Sequence, residues 1–235
     1  MSSFVFAPPP VASLAVANSA DRFPIRRVIC VGRNYAAHAR EMGKDPDREP
    51  PFFFMKPADT VLDAKGTVPY PPETSDFQYE IELVVGIGQG GTNVTPAAAN
   101  GLIWGYGVGI DLTRRDLQLL ARDAGRPWEW GKAFDKSAPC GPLYPREQTG
   151  VIDHGHIWLT VNGETRQEAD ISDLIWSVPE IISTISRSMA LAAGDLIMTG
   201  TPAGVGAIEI GDVVRGGIDG LGTIEIVIGA PDVQP

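Results

Sequence analysis

Apolar and polar positions alternate over many short stretches of this chain, and a period of two predicts β-strands. Strands are predicted at 26–32, 51–57, 79–85, 104–110 and 195–202, as a hairpin at 157–168, and as a last pair between 212 and 228. Helical patterns are fewer: Asn34 can cap a short helix that ends near Gly43, and the capping-box sequence from Ser177 to Glu180 opens another. The pattern predicts a mainly β chain with short helices, an α+β fold.

The strand at 79–85 is unusual because it carries Glu80 and Glu82 among apolar residues. Side chains alternate between the faces of a strand, so these two carboxylates point the same way, about 7 Å apart. Asp111 ends the apolar run 104–110, where a carboxylate is poorly placed for solvation. Three such carboxylates suit a hard divalent cation, Mg²⁺ or Mn²⁺. The alternative is an ordinary half-exposed strand with a wet face.

A histidine and a glutamate lie three residues apart on the helix predicted near Asn34. His38 and Glu41 therefore share a helix face, where the carboxylate would fix the tautomer of the imidazole. The charged, proline-rich stretch 44–51 follows, and a short helix beside such a loop is a candidate lid. A surface His–Glu pair without function is the alternative.

Two further polar residues follow Asp111 on a predicted helix. Arg115 and Gln118 share a face of that helix, so a guanidinium and an amide could together hold a carboxylate or keto group of a substrate. The alternative is a solvated basic face, which would be the better interpretation if Asp111 were absent.

Lys132 and Thr201 complete the set of candidates. Lys132 lies among apolar neighbours and could neutralise a developing enolate, although a salt bridge to Asp135 or Glu129 fits the sequence equally well. The small-residue turn after Asp195 offers backbone N–H groups and the Thr201 hydroxyl to an anion.

Composition narrows the class of protein. The chain has 235 residues, of which 43% are hydrophobic and 20% charged, and this describes a globular protein with one sizeable core. Its net charge of −10 argues against nucleic acid or an anionic membrane as partner, and an anionic substrate must meet a locally positive site. Two cysteines do not make a disulfide framework, and no apolar run is long enough to cross a bilayer. The apolar stretch 11–17 has no basic residue before it, which argues against a signal peptide. We therefore expect a cytoplasmic protein.

Four segments of the chain, in order, resemble the fumarylacetoacetate hydrolase superfamily: CVGRNYAAHAREMG, YEIELVVGIG, GVGIDLTRRDLQ with GKAFDKSAPCGP, and GDLIMTGTPAGVG. The resemblance runs from about residue 26 to the C-terminus, and the small acylpyruvate hydrolases are most similar. It implies a mixed β-roll of the family's C-terminal-domain type, a homodimer, and Mg²⁺ or Mn²⁺ as cofactor. We expect one catalytic domain at 23–235 after an N-terminal arm at 1–22.

The resemblance also implies roles for the candidate residues. The implied metal ligands are Glu80, Glu82 and Asp111, the catalytic residues are His38, Glu41 and Lys132, and the substrate-binding residues are Arg115, Gln118 and Thr201. The implied reaction is the metal-dependent hydrolysis of a carbon–carbon bond in a 2,4-dioxo acid. Fumarylpyruvate of gentisate catabolism is the expected substrate, with fumarate and pyruvate as products.

Two alternatives remain open at this point. The same metal site decarboxylates oxaloacetate in some relatives and hydrates or isomerises 2-keto acids in others, and the motifs do not separate these reactions. A β-rich binding module with a structural cation is the non-enzymatic alternative, but its acidic groups would usually lie close together in one loop. Here they are about 30 residues apart, which better suits an assembled active site.

The acyl group is a further open question. A fumaryl group carries a second carboxylate, which calls for a second cation in the site. The candidates for that cation are Arg33, Arg40, Lys44 and Lys56, and the sequence does not choose among them.

Overall fold

The computed structural model describes residues 3–41 and 49–232, in which strands predominate and helices are short. The strands are β1 (Ser13–Ala15), β2 (Arg22–Pro24), β3 (Arg27–Val31), β4 (Phe53–Lys56), β5 (Val61–Asp63), β6 (Thr67–Pro69), β7 (Phe77–Tyr79), β8 (Ile81–Ile87), β9 (Ile103–Ile110), β10 (Thr113–Arg114), β11 (Ala138–Cys140), β12 (Tyr144–Pro145), β13 (His156–Val161), β14 (Glu164–Asp170), β15 (Asp195–Met198), β16 (Gly206–Ala207), β17 (Val213–Ile218) and β18 (Thr223–Gly229). The helices are α1 (Ala36–Glu41), α2 (Pro96–Ala99), α3 (Arg115–Asp123), α4 (Glu129–Lys132), α5 (Arg146–Thr149) and α6 (Val178–Ser188). Most of the loop predicted at 44–51, including Lys44, lies outside the described residues, as does the side chain of Arg40.

A large mixed sheet and a second sheet form the two layers of the molecule. The large sheet has the order β4-β3-β15-β8-β9-β11-β5, with β12 beside β9, and it curls into a half-barrel. The second sheet has the order β14-β13-β17-β18-β6. Apolar side chains from both sheets share one core, among them Val108, Leu159 and Ile226. The predicted mainly β fold with a mixed β-roll is confirmed.

The central strands β8 and β9 are buried along nearly their whole length, because sheet and core cover both of their faces. The alternative of a half-exposed strand with a wet face is therefore wrong. Gly105 of β9 shows how closely the neighbouring strand β12 approaches, since a Cβ there would lie 2.3 Å from the carbonyl oxygen of Tyr144.

The strand predicted at 79–85 is divided at Glu80. β7 ends at Tyr79 and pairs with β10 and β16, whereas β8 begins at Ile81 and pairs with β9 and β15. At the division, the carbonyl of Glu80 accepts the N–H of Asp111 at 2.8 Å, and the N–H of Ile81 donates to the side chain of Gln167 at 3.0 Å. The chain thus changes sheets at the first acidic residue.

The first helix begins at Ala36, and the prediction that Asn34 caps it is wrong because the Asn34 amide is bound elsewhere. Its Nδ2 donates to the carbonyls of Trp176 at 2.8 Å and Thr199 at 2.9 Å, and its Oδ1 accepts the N–H of Trp176 at 2.7 Å. Asn34 therefore ties the segment before α1 to the end of β15 and to the loop before α6.

Two local predictions are confirmed. The hairpin of β13 and β14 turns at Asn162 and Gly163, which have φ of +53° and +84°. α6 opens on the capping box, in which the N–H of Ser177 donates to the carboxylate of Glu180 at 3.0 Å. Across the residues described here, no helix has the length and apolarity needed to cross a bilayer.

The N-terminal arm is joined to the body by strand pairing. β1 pairs antiparallel with β2, and Leu14 is fully buried against the large sheet. The N–H of Ala17 donates to the carbonyl of Leu143 at 2.9 Å, and the N–H of Leu143 donates to Ala15 at 2.9 Å. The predicted boundary at residue 22 falls at the start of β2.

Candidate active site

The structure brings the three predicted acidic residues together. Glu80 lies between β7 and β8, Glu82 lies in β8, and Asp111 directly follows β9, so the antiparallel pairing of β8 with β9 places them side by side. One carboxylate oxygen from each lies within 4.8 Å of the others, and all three residues are buried. This group is called the acidic cluster below.

A buried lysine holds two members of the acidic cluster. The Lys132 ammonium donates to Glu80 Oε2 at 2.7 Å, to Asp111 Oδ2 at 2.8 Å and to Thr113 Oγ1 at 2.7 Å. All three of its protons are thereby used. The salt bridge considered from the sequence, to Asp135 or Glu129, is not the one that forms.

A second lysine, Lys56, lies on the other side of Asp111. Its Nζ is 2.9 Å from Asp111 Oδ1, an ion pair without hydrogen-bond geometry, and it donates to the Ser137 hydroxyl at 3.0 Å and the Ser137 carbonyl at 3.2 Å. It also bonds to the carbonyls of Leu112 and Lys132. Because Lys56 is enclosed by these partners and 1% exposed, it supports the acidic cluster and is not available to a substrate.

The members of the acidic cluster differ in their electrostatic surroundings. Burial raises the pKa of Glu80, but the Lys132 ammonium and the Arg115 guanidinium outweigh burial and bring that pKa to about 2. Burial, with the Asp111 and Glu80 carboxylates, raises the pKa of Glu82 well above its ordinary value. Burial lowers the pKa of Lys132, but Asp111 and Glu80 outweigh it, and the pKa lies above its ordinary value.

Glu82 differs from the other two members of the acidic cluster in its ion pairing. Its Oε2 accepts the N–H of Gly200 at 2.8 Å, yet it pairs with none of the cationic side chains that the structure describes. A buried carboxylate beside two others is costly unless a cation neutralises it. The donor set of three carboxylates therefore fits a hard divalent cation.

The predicted His–Glu pair forms on α1. His38 is 4% exposed, and its Nδ1 lies 3.1 Å from Glu41 Oε2. Both Glu41 oxygens also accept the N–H of Gly204 at 3.2 Å, so the carboxylate is held from two sides. With the Nδ1 proton donated to Glu41, Nε2 remains as a proton acceptor.

Arg115 and Gln118 meet as predicted from their spacing on α3. Arg115 Nη1 donates to Gln118 Oε1 at 3.2 Å, Nε donates to Gln78 Oε1 at 2.8 Å, and Nη2 forms an ion pair with Glu80. Gln78 was missed because it comes from β7, which pairs with β10 next to α3 only in the folded sheet.

One cavity of about 130 Å³ joins these groups. Its lining residues are Gly32, Arg33, His38, Glu80, Arg115, Gln118, Arg122, Trp128 and Lys132. The His38 imidazole, the Glu80 carboxylate of the acidic cluster and the side chains of Arg115, Gln118 and Lys132 thus face one small space. This space is called the inner cavity below.

Thr201 does not line the inner cavity. Its hydroxyl donates to the carbonyl of Ile81 at 2.8 Å and accepts from Gln167 Nε2 at 2.8 Å. To donate to an anion, the Thr201 hydroxyl would have to break its hydrogen bond to the Ile81 carbonyl. Its role as a substrate contact stays a prediction, and Gln167 is a buried residue of this region that the sequence pattern did not indicate.

Comparison with known proteins places the chain in a family. The model of the fumarylacetoacetate (FAA) hydrolase C-terminal family matches residues 27–228. The chain belongs to this family. Its resemblance to the superfamily is thereby confirmed, and it is an enzyme of a hydrolase family, so the alternative of a binding module with a structural cation is wrong.

Three relatives bear on the activity. The chain is 45% identical to a fumarylpyruvate hydrolase of a Ralstonia species over 190 residues, 80% of this chain and 98% of the relative. It is 54% identical to the fumarylpyruvate hydrolase of Pseudomonas aeruginosa, solved in complex with Mn²⁺ and pyruvate, with a TM-score of 0.96 over 97% of this chain and 100% of that one. It is also 41% identical to a mitochondrial oxaloacetate tautomerase of Arabidopsis thaliana over 199 residues, 85% of this chain and 89% of the relative.

Proposed function

We propose that this protein is a metal-dependent acylpyruvate hydrolase that cleaves fumarylpyruvate into fumarate and pyruvate. The observation that carries the proposal is that Glu80 of the acidic cluster and His38 of the His38–Glu41 pair line one cavity. The two relatives named fumarylpyruvate hydrolase, at 45% and 54% identity, support it. A homodimer and a place in gentisate catabolism in the cytoplasm belong to the same proposal, on the family resemblance.

The acidic cluster would hold one Mg²⁺ or Mn²⁺. Glu80, Glu82 and Asp111 offer oxygen ligands, and the unpaired charge of buried Glu82 favours a cation there. Such a cation supplies Lewis acidity to the substrate's keto and carboxylate oxygens and offsets the negative charge that develops on cleavage. The relative from P. aeruginosa was solved with Mn²⁺ and pyruvate, which supports this assignment.

The side chains of the inner cavity divide the remaining work. Arg115 and Gln118 orient the substrate carboxylate, and His38, held by Glu41, accepts a proton from water at Nε2. The resulting hydroxide adds to the 4-carbonyl carbon, the C3–C4 bond breaks, and its electron pair passes to the pyruvate enolate. Lys132 lies beside that charge, and the proton taken by His38 returns to C3. Water is thus added across the cleaved bond.

Oxaloacetate chemistry is the second candidate, since a relative at 41% identity is an oxaloacetate tautomerase. The His38–Glu41 pair favours hydrolysis over decarboxylation, because decarboxylation needs no activated water.

The discriminating experiment incubates the protein with Mg²⁺ or Mn²⁺ and fumarylpyruvate, acetylpyruvate or oxaloacetate in turn. We expect fumarylpyruvate to have the highest kcat/KM, with equal amounts of fumarate and pyruvate released and activity lost in EDTA. A higher kcat/KM for oxaloacetate, with CO₂ release or tautomerisation, would overturn the proposal.

A further inference from the structure

Two recesses meet at Arg33 and Trp128. Glu80 of the acidic cluster lines the inner cavity, and a wider recess of about 400 Å³ lies outside it. The outer recess is lined by Arg33, Phe52, Phe53, Phe54, Arg126, Pro127, Trp128 and Glu129. Because Arg33 and Trp128 line both spaces, they stand where the reaction site opens outward.

Arg33 rests on an aromatic platform. Its guanidinium carbon lies 5.1 Å from the ring centroid of Phe52, whose ring meets that of Trp128 edge-on, with centroids 5.0 Å apart. Gly32 makes room for this platform, since a Cβ there would lie 2.0 Å from Phe52 Cε2, and its N–H donates to the Phe52 carbonyl at 3.0 Å. The guanidinium is therefore positioned by packing.

The charge of Arg33 has no partner in the described part of the chain, where it forms neither a hydrogen bond nor an ion pair. The other cations of the inner cavity are compensated: Arg115 by Glu80, Lys132 by Glu80 and Asp111, and Arg122 by Asp123 at 2.9 Å. In a protein of net charge −10, an uncompensated cation beside a reaction site is a site for an anion.

A dicarboxylic substrate would present an anion at this place. The keto and carboxylate oxygens of a 2,4-dioxo acid would meet the cation that the acidic cluster would hold, and the acyl chain then has to run toward the opening of the inner cavity. A carboxylate at the far end of that chain then arrives at Arg33, whose planar guanidinium can bind it through two parallel hydrogen bonds. Lys56 cannot do so, because its ammonium is enclosed beside Asp111.

We propose that Arg33 binds the terminal carboxylate of the acyl group and selects dicarboxylic over monocarboxylic acylpyruvates. This inference rests on the proposed function and extends it from a reaction class to a specificity residue. Trp128 and Phe52 border the acyl chain between the two carboxylates.

The test compares kcat/KM for fumarylpyruvate and acetylpyruvate, which lacks the second carboxylate, in wild type, Arg33→Gln and Arg126→Gln. Arg126 is the matched control, because it lines the outer recess alone and its loss changes the net charge equally. For Arg33→Gln we expect a fall of about 10- to 150-fold with fumarylpyruvate, the usual range for a hydrogen bond to a charged group. With acetylpyruvate we expect a change below about threefold, so this substrate also reports correct folding. Arg126→Gln should change neither substrate by more than about threefold.

Product inhibition gives a readout that does not depend on the variant's turnover of fumarylpyruvate. Fumarate should inhibit wild-type cleavage of acetylpyruvate, and its inhibition constant should rise at least about tenfold in Arg33→Gln, whereas that of the monocarboxylate acrylate should not change.

Three results would overturn the inference while leaving the proposed function intact. These are an equal loss on both substrates in Arg33→Gln, no loss on either, and a selective loss in Arg122→Gln without one in Arg33→Gln. If the wild-type protein cleaves neither acylpyruvate with Mn²⁺, the proposed function fails and the inference fails with it, a result already visible before any variant is assayed.

Discussion

Lys56 and Lys132 show how position decides what a charged residue does. Both are buried and both touch Asp111, but Lys132 lines the inner cavity while Lys56 is closed off behind the acidic cluster. The sequence does not decide whether Lys56 is available to a substrate, because its partners Ser137 and Asp111 come from distant parts of the chain. The spacing of Glu80 and Glu82, in contrast, could be interpreted directly, since alternation along a strand is a local property.

Lys56→Met should destabilise the protein. The substitution leaves Asp111 buried with one cationic partner fewer, and breaking a buried ion pair typically lowers the free energy of unfolding by about 3–5 kcal/mol. Urea denaturation of the metal-free protein measures this loss of unfolding free energy. Lys136→Met is the control, because the Lys136–Asp232 pair is exposed and should contribute only about 0–1 kcal/mol. Equal effects in the two variants would contradict a supporting role for Lys56.

His38→Ala should lower kcat about 10²–10⁴-fold, the usual contribution of a general base, and leave Mn²⁺ affinity unchanged. Steady-state kinetics and a metal titration measure the two quantities. His156→Ala is the matched control, because His156 also pairs with a glutamate, Glu168, but on the exposed face of the β13–β14 hairpin. Turnover near the wild-type rate in His38→Ala would remove His38 as the base.

Local elements of this chain were predictable and long-range ones were not. The turn at Asn162 and Gly163 and the capping box at Ser177 depend on residues within four positions of each other. Asn34 has the composition of a helix cap, but residues more than 140 positions away in the sequence supply its partners. The change of sheet at Glu80 likewise depends on pairing with other segments, which periodicity does not report.

The loop after β15 is an element whose function appears only in the fold. Gly204 donates its N–H to both oxygens of Glu41 and accepts the hydroxyl of Tyr79 at 3.0 Å, so the loop holds the His–Glu pair in place. Its φ is +97°, and a Cβ there would lie 1.9 Å from the carbonyl oxygen of Arg166. The position therefore requires glycine for both conformation and space.

Gly204→Ala should lower kcat about 10- to 100-fold, because the clash with Arg166 shifts the N–H that holds Glu41. Gly211→Ala is the control: Gly211 has a similar φ of +99°, but nothing lies within 4 Å of the added Cβ. Both variants should lose about 1–3 kcal/mol of unfolding free energy to backbone strain. Kinetics and urea denaturation measure these effects, and unchanged kcat in Gly204→Ala would show that the loop does not hold the pair.

The whole molecule assembles one site from segments that are far apart in sequence. The mainly β content and the acidic residues could be predicted from periodicity and spacing, and the family resemblance supplied the β-roll and the roles of the residues. The order of strands in the large sheet could not be predicted, because its crossovers depend on packing between layers. Arg33 stayed one of several candidates for the same reason, since its platform joins Phe52 and Trp128 across the fold.

The central claim is that the acidic cluster binds the divalent cation on which cleavage depends. A Mn²⁺ titration of the metal-free protein, followed by electron paramagnetic resonance, tests it most directly in wild type and in Glu82→Gln. Glu164→Gln is the control, because Glu164 is an exposed carboxylate on the β13–β14 hairpin. We predict one tightly bound Mn²⁺ per chain in wild type and in Glu164→Gln, and binding at least about 100-fold weaker in Glu82→Gln. Wild-type Mn²⁺ affinity in Glu82→Gln would contradict the claim.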